Sequence, residues 1–183
     1  THLSHFRREV LKKYSFLVMS PEGDGSCLFR SISHQIEGNQ ENHQQYRKLA
    51  CQILEREWDQ FAELHLPMHI KDKYVYLSKM EKPGTWGTEI EVMALARGLN
   101  LPITIIELGT EPYSYGPSKL LTVEDDDVAH DWGSLFLGYH KRAQHFTSLI
   151  FAGDCKRNND FNSANSIPFP DLEISQQLHN HNT

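Results

Sequence analysis

The sequence predicts an α+β domain with a small central sheet flanked by helices. Three observations carry this reading. Helical periodicity dominates the front of the chain, strand-like apolar runs dominate the back, and one strong amphipathic helix is interposed between them. A chain of 183 residues is about one domain's worth and can bury a core without staples. We place that domain at residues 1–153. Residues 154–183 read as a polar tail, rich in Asn, Ser, Gln and Pro, that packs locally or stays mobile.

The elements follow in order. Leu3 to Tyr14 mixes apolar and basic residues as a first helix does, with Arg7, Arg8, Lys12 and Lys13 on a solvated face. "SFLVMS" reads as a strand or extended lead-in to the turn "PEGDG". From Cys27 onward Phe29, Ile32 and Ile36 recur at helical spacing, and Gly38 and Asn39 supply C-cap chemistry. "NHQQYRKLACQILEREWDQF" predicts a long helix with Ala50, Ile53, Leu54, Trp58 and Phe61 on its apolar face. "IKDKYVYLSKM" predicts a further helix, and "KPGTWGT" a turn in which Thr85 or Thr88 caps the next one. "TEIEVMALARGLN" is that helix, followed by the β-branched strand "LPITIIEL". A loop is expected near Tyr113 to Pro117, a short strand at Lys119 to Val123, and a solvated acidic run at Glu124 to Asp127. "SLFLGYH" and "HFTSLIFA" then form a hairpin.

Composition removes several function classes. A net charge of −6 with no basic stripe disfavours nucleic acid. The three cysteines, Cys27, Cys51 and Cys155, are odd in number and widely spaced, which argues for a reducing compartment and against a disulfide framework. None of them makes a CxxC pair, so no structural zinc is expected. No apolar run reaches membrane-spanning length, and no signal peptide is visible.

The chemistry gathers at "GDGSCLF". A thiol becomes reactive as its thiolate, which a helix N-terminus or a nearby histidine favours. Gly25 opens turn conformations closed to other residues, and a turn running into a helix points N–H groups into one small space. The stretch is therefore a fit mount for a nucleophile, although a buried core cysteine after a turn reads equally well. Cys51, inside a helix with no such turn, reads as a core thiol. A cysteine nucleophile needs a base from elsewhere in the chain. His145, opening the late strand "HFTSLI", is the first candidate, and His140, across the presumed hairpin, is its competitor.

Taken together, "DGSCLFRS", "WGTEIEVMALARGLNLPITII" and "HFTSLI" resemble the ovarian-tumour (OTU) family of cysteine deubiquitinases, in the family's order. "QIEGNQENHQQYRKLACQIL" also resembles the segment after the family's nucleophile helix, so the likeness runs from about Phe16 to Phe151. Three ordered blocks are far more specific than any one of them. The resemblance implies an OTU-like (papain-like cysteine protease) fold and thiol-dependent hydrolysis of the isopeptide bond at the C-terminal glycine of ubiquitin. It implies Cys27 as nucleophile and His145 as base. Asp24 matches the family's aspartate three residues before the nucleophile, and the backbone N–H groups of Asp24, Gly25, Ser26 and Cys27 would form the oxyanion hole. Many relatives carry Asp or Asn two residues after the histidine, where this chain has Thr147, an uncharged candidate for the third triad member. Trp86 and Glu89 match a family motif. Both read as structural, with Trp86 a candidate wall of the active site.

The resemblance further implies ubiquitin or polyubiquitin as partner, no cofactor, no metal and a monomer. The expected location is a reducing intracellular compartment: the cytoplasm, or the host cytoplasm for a pathogen's enzyme. Two alternatives stand beside it: an OTU-like ubiquitin-binding module with weak or no catalysis, and a papain-like hydrolase of another amide.

Overall fold

The computed structural model describes residues 2–64, 72–117 and 133–155. The expected strand at Lys119 to Val123, the acidic run after it and nearly all of the polar tail lie outside the described residues.

A mixed sheet of five strands organises the domain. In chain order these are β1 (Phe16–Met19), β2 (Ile103–Glu107), β3 (Tyr113–Tyr115), β4 (Leu135–His140) and β5 (His145–Phe151), arranged β1-β5-β4-β2-β3. β2 and β4 run parallel, and every other neighbouring pair is antiparallel. β4 and β5 form the expected hairpin, closed by one 3-10 turn at Lys141–Ala143 and by Gln144 at φ 48°.

Strand alternation splits the apolar residues between two faces. On one face Ile103, Ile105, Leu135, Leu137 and Phe146 meet α2 (Cys27–Glu37), α3 (His43–Arg56) and α6 (Glu89–Leu99) in the main core. On the other, Ile106 and Leu149 meet Phe6 and Val10 of α1 (His2–Tyr14). Thr88 caps α6 through a capping box with Glu91, a buried carboxylate that also accepts from Tyr76 of α5 (Lys73–Met80).

Two expectations are corrected. Residues 43–61 are not one helix: the chain breaks at Glu57 and restarts as α4 (Trp58–Leu64). Trp58 leaves the expected apolar face and stacks on Tyr76 with ring centroids 5.7 Å apart. Tyr113–Tyr115 is also not a loop. It pairs with β2, Ile103 opposite Tyr115, and adds a fifth strand. The C-terminal end of the hairpin's second strand turns into a last short helix, α7 (Ala152–Cys155).

Candidate active site

The turn between β1 and α2 has little freedom. Asp24 Oδ1 accepts from the Ser26 N–H at 2.9 Å, closing an Asx turn. Gly25 sits at φ 82° against the loop between α5 and α6; a Cβ there would lie 1.9 Å from the Gly84 carbonyl oxygen. Only glycine meets both conditions. Cys27 is the first residue of α2 and is 6% exposed. Burial pushes its thiol pKa up, opposed by the backbone N–H groups of Phe146, Leu28 and Cys27 itself directed at the sulfur.

That contact with Phe146 brings the start of β5 to the nucleophile. His145 is the preceding residue, half-buried at the mouth of the strand. Its Nε2 lies 3.1 Å from Ser20 Oγ, which leaves Nδ1 as the nitrogen for a thiol. Burial, with a smaller contribution from His140, holds its imidazole pKa below the ordinary value. Burial thus works against the charged form of both the thiol and the imidazole. A cleft of about 310 Å³ opens against His145, with His2, Leu3, His140, Arg142 and Ala143 as its other walls.

Ser20 is the residue the sequence reading missed. Met19 pairs with Ser148, so Ser20 leaves β1 opposite the beginning of β5, within reach of His145. Only the strand register makes that visible. Thr147, the expected third member, points elsewhere: it is fully buried, and its hydroxyl donates to the Gly138 carbonyl at 3.4 Å. Its β5 neighbour Ser148 is bonded to His34 Nδ1 at 2.8 Å and to Gln35, which ties α2 to the sheet. His34 is thus part of the helix–sheet contact.

The other expected site residues fall as follows. Asp24 holds its charge firmly: the Arg30 guanidinium, bound to Oδ2 at 2.7 and 3.1 Å, brings its pKa down to about 2. Its described partners are Arg30 and Ser26, neither of them the imidazole. The Ser26 N–H is committed to Asp24, so the expected oxyanion array of Asp24, Gly25, Ser26 and Cys27 loses one of its donors. His140 Nδ1 accepts from the Ala143 N–H and caps the hairpin turn. Trp86 is 52% exposed, so it is no core residue; it stands on the loop whose Gly84 abuts Gly25. Glu89 accepts from the Tyr113 hydroxyl at 3.1 Å. Cys51 is buried, with its thiol pKa pushed up to about 12. Among the described residues, no three His, Cys, Asp or Glu side chains are grouped to hold a metal ion. None of the helices there is long and apolar enough to cross a membrane.

Residues 22–146 match the family model described as OTU-like cysteine protease. The chain is 30% identical over 147 residues to OTU domain-containing protein 5-A of Xenopus laevis, covering 79% of this chain and 26% of that protein. It is 27% identical over 146 residues to OVARIAN TUMOR DOMAIN-containing deubiquitinating enzyme 6 of Arabidopsis thaliana, again covering 79% of this chain and 26% of that protein. The chain thus spans about a quarter of the length of these relatives. Among solved structures, the OTUD1 OTU domain superposes with a TM-score of 0.63 at 17% identity, over 81% of this chain and 94% of that one. The Hazara virus OTU bound to ubiquitin superposes at 0.55 and 18% identity, over 74% and 80%. These structural likenesses concern the fold.

Proposed function

The chain belongs to the OTU-like cysteine protease family, and from that membership we propose that it is a deubiquitinase, cleaving isopeptide bonds at the C-terminal glycine of ubiquitin. One observation carries the proposal. Cys27 opens a helix directly under the Phe146 N–H, and the adjacent His145 is bonded on its far nitrogen to Ser20. The relative named a deubiquitinating enzyme and the viral neighbour solved with ubiquitin support the choice of substrate.

The reaction begins from the uncharged thiol and imidazole that burial favours. As the sulfur of Cys27 attacks the glycine carbonyl, His145 Nδ1 takes the thiol proton, and the carbonyl oxygen becomes an oxyanion. Backbone N–H groups at the start of α2 hold that oxygen. The tetrahedral intermediate collapses by breaking the C–N bond, and the imidazolium returns its proton to the leaving lysine amine. Water, deprotonated by the same imidazole, then hydrolyses the thioester and restores the thiol. In the tautomer with Nδ1 free, Nε2–H donates to Ser20 Oγ, which fixes the ring's orientation. Asp24 and Gly25 shape the mount, and the close approach of Gly25 to Gly84 beside Trp86 suits a narrow groove for a glycine tail. A free thiol used in this way fits a reducing compartment.

The test is a panel of the eight diubiquitin linkages. Cleavage of at least one by wild type, lost in Cys27→Ala and His145→Ala but kept in His140→Ala, supports the proposal. Binding of ubiquitin with no cleavage of any linkage overturns it in favour of a binding module. Activity that survives His145→Ala overturns the choice of base.

A further inference from the structure

Arg47 lies in the polar run "HQQYRK" of α3, yet it is 1% exposed. Its guanidinium reaches two loops at once. Nη1 donates to the carbonyl oxygens of Thr85 at 2.8 Å and Met80 at 3.0 Å. Nη2 donates to Ser26 Oγ at 3.1 Å and, more weakly, to the Gly25 carbonyl at 3.4 Å. The guanidinium carbon sits 4.2 Å from the centre of the Phe29 ring, in α2 just beyond the nucleophile. No carboxylate is among these acceptors, and Nε is buried with no hydrogen-bond partner among the described residues.

A buried cation with neutral partners is an expensive way to fill space. A methionine or leucine would pack there without the desolvation penalty. What a guanidinium adds is a planar fork that binds several oxygens in fixed directions. Here those oxygens belong to the nucleophile turn (Gly25, Ser26) and to the stretch leading to Trp86 (Met80, Thr85). The two segments touch where Gly25 meets Gly84 and have no side chains to interlock at that point. The peptide between Gly25 and Ser26 is trans, since the described residues contain no cis bond. Holding its carbonyl on Arg47 therefore aims its N–H the opposite way, where Asp24 Oδ1 receives it. The next amide, that of Cys27, is oriented from this one by the Ser26 backbone at φ −104° and ψ 12°.

We propose that Arg47 is a positioning residue for the reaction at Cys27: it locks the nucleophile turn to the Trp86 loop, and its buried charge favours the anion that develops beside the turn. This rests on the reading of Cys27 as nucleophile. Arg47 acts through the backbone it binds and through its charge, not as a group that touches the substrate.

The test uses the full chain and the variants Arg47→Lys and Arg47→Met. One readout is kcat and KM on a ubiquitin–fluorophore conjugate. The other is the pH dependence of Cys27 alkylation by iodoacetamide, followed by mass spectrometry so that Cys51 is counted separately. Arg47→Met is expected to lower kcat about 100-fold with KM within about threefold, the size of effect seen when oxyanion support is lost. Its alkylation midpoint should move up by about one pH unit, as removal of a nearby cation requires. Arg47→Lys keeps the charge but not the fork; its midpoint should stay near wild type while kcat falls about tenfold. A folded Arg47→Met with kcat within threefold of wild type overturns the proposal. So does an unmoved midpoint with both variants equally slow, which is the signature of packing alone. Should Arg47→Met fail to fold, Ser26→Ala removes one acceptor and leaves the core intact. It should lower kcat roughly three- to tenfold at constant KM, and an unchanged kcat overturns the proposal. Alkylation needs no ubiquitin, so a wrong substrate assignment shows separately, as wild type that alkylates normally but processes no ubiquitin conjugate.

Discussion

Removing the Ser20 hydroxyl should slow catalysis while leaving the fold in place. In the resting state the 3.1 Å contact with His145 Nε2 joins two neutral groups, and such a bond contributes about 0.5–1.5 kcal/mol. During attack the imidazole becomes charged, and hydrogen bonds to charged groups contribute about 1.5–3 kcal/mol. Only the difference, about 1–1.5 kcal/mol, lowers the barrier, which is roughly five- to fifteenfold in rate. Ser20→Ala should therefore reduce kcat by that factor with KM little changed, measured on a ubiquitin–fluorophore conjugate. Thr147→Val keeps the shape of the side chain and drops only its 3.4 Å bond to the Gly138 carbonyl. It should leave kcat within about twofold. Ser20→Asp would place a carboxylate on the imidazole. Burial holds the His145 pKa low, and a negative neighbour raises it, so the acid limb of kcat/KM should move to higher pH. A Ser20→Ala variant as fast as wild type beside a slow Thr147→Val would overturn this assignment, because the position two after the histidine would then be the orienting one after all.

Gly25→Ala should destabilise the protein by more than about 2 kcal/mol, since about 1–2 kcal/mol comes from the left-handed backbone alone and the new Cβ also meets the Gly84 carbonyl at 1.9 Å; a urea midpoint equal to wild type contradicts this. Asp24→Asn keeps the acceptor for the Ser26 N–H and loses the charge that pairs with Arg30. It should cost less than about tenfold in kcat, whereas a loss as complete as that of Cys27→Ala would place Asp24 in the chemistry itself. Burial holds the His34 pKa below its ordinary value of 6.5. The folded chain therefore binds fewer protons there than the unfolded one, and this stability is complete above the ordinary pKa and lost as pH falls below it. His34→Gln should accordingly flatten the loss of stability between about pH 7 and pH 5, read as urea midpoints against wild type; identical slopes contradict it.

The parts of this fold legible in the sequence are those fixed by local rules. α6 is announced by its cap and period: Thr88 with Glu91 three residues on, then Ile90, Ala94 and Leu95 on the buried side. The nucleophile turn is legible because Asp24, Gly25 and Cys27 are neighbours in sequence. What eluded the sequence depends on partners far along the chain. Tyr113–Tyr115 carries the turn residues of a loop and becomes a strand only because β2 offers an edge. The break at Glu57 lies inside an unbroken helical pattern, where Trp58 is drawn to Tyr76 and Glu57 pairs with Arg97 at 2.9 Å. Ser20 reaches His145 across 125 residues through the β1–β5 register. Arg47 reads as one more charge on a polar helix face until the loops that bury it are in place.

Everything proposed for this chain depends on Cys27 being the nucleophile that attacks the ubiquitin tail. Ubiquitin carrying a C-terminal electrophile tests it most directly, with the modified residue located by mass spectrometry. One ubiquitin per chain is expected on Cys27, none on Cys51, whose thiol pKa burial pushes up to about 12, and none in Cys27→Ala. Labelling that persists in Cys27→Ala, or a wild type left unlabelled while alkylating normally with iodoacetamide, would contradict it.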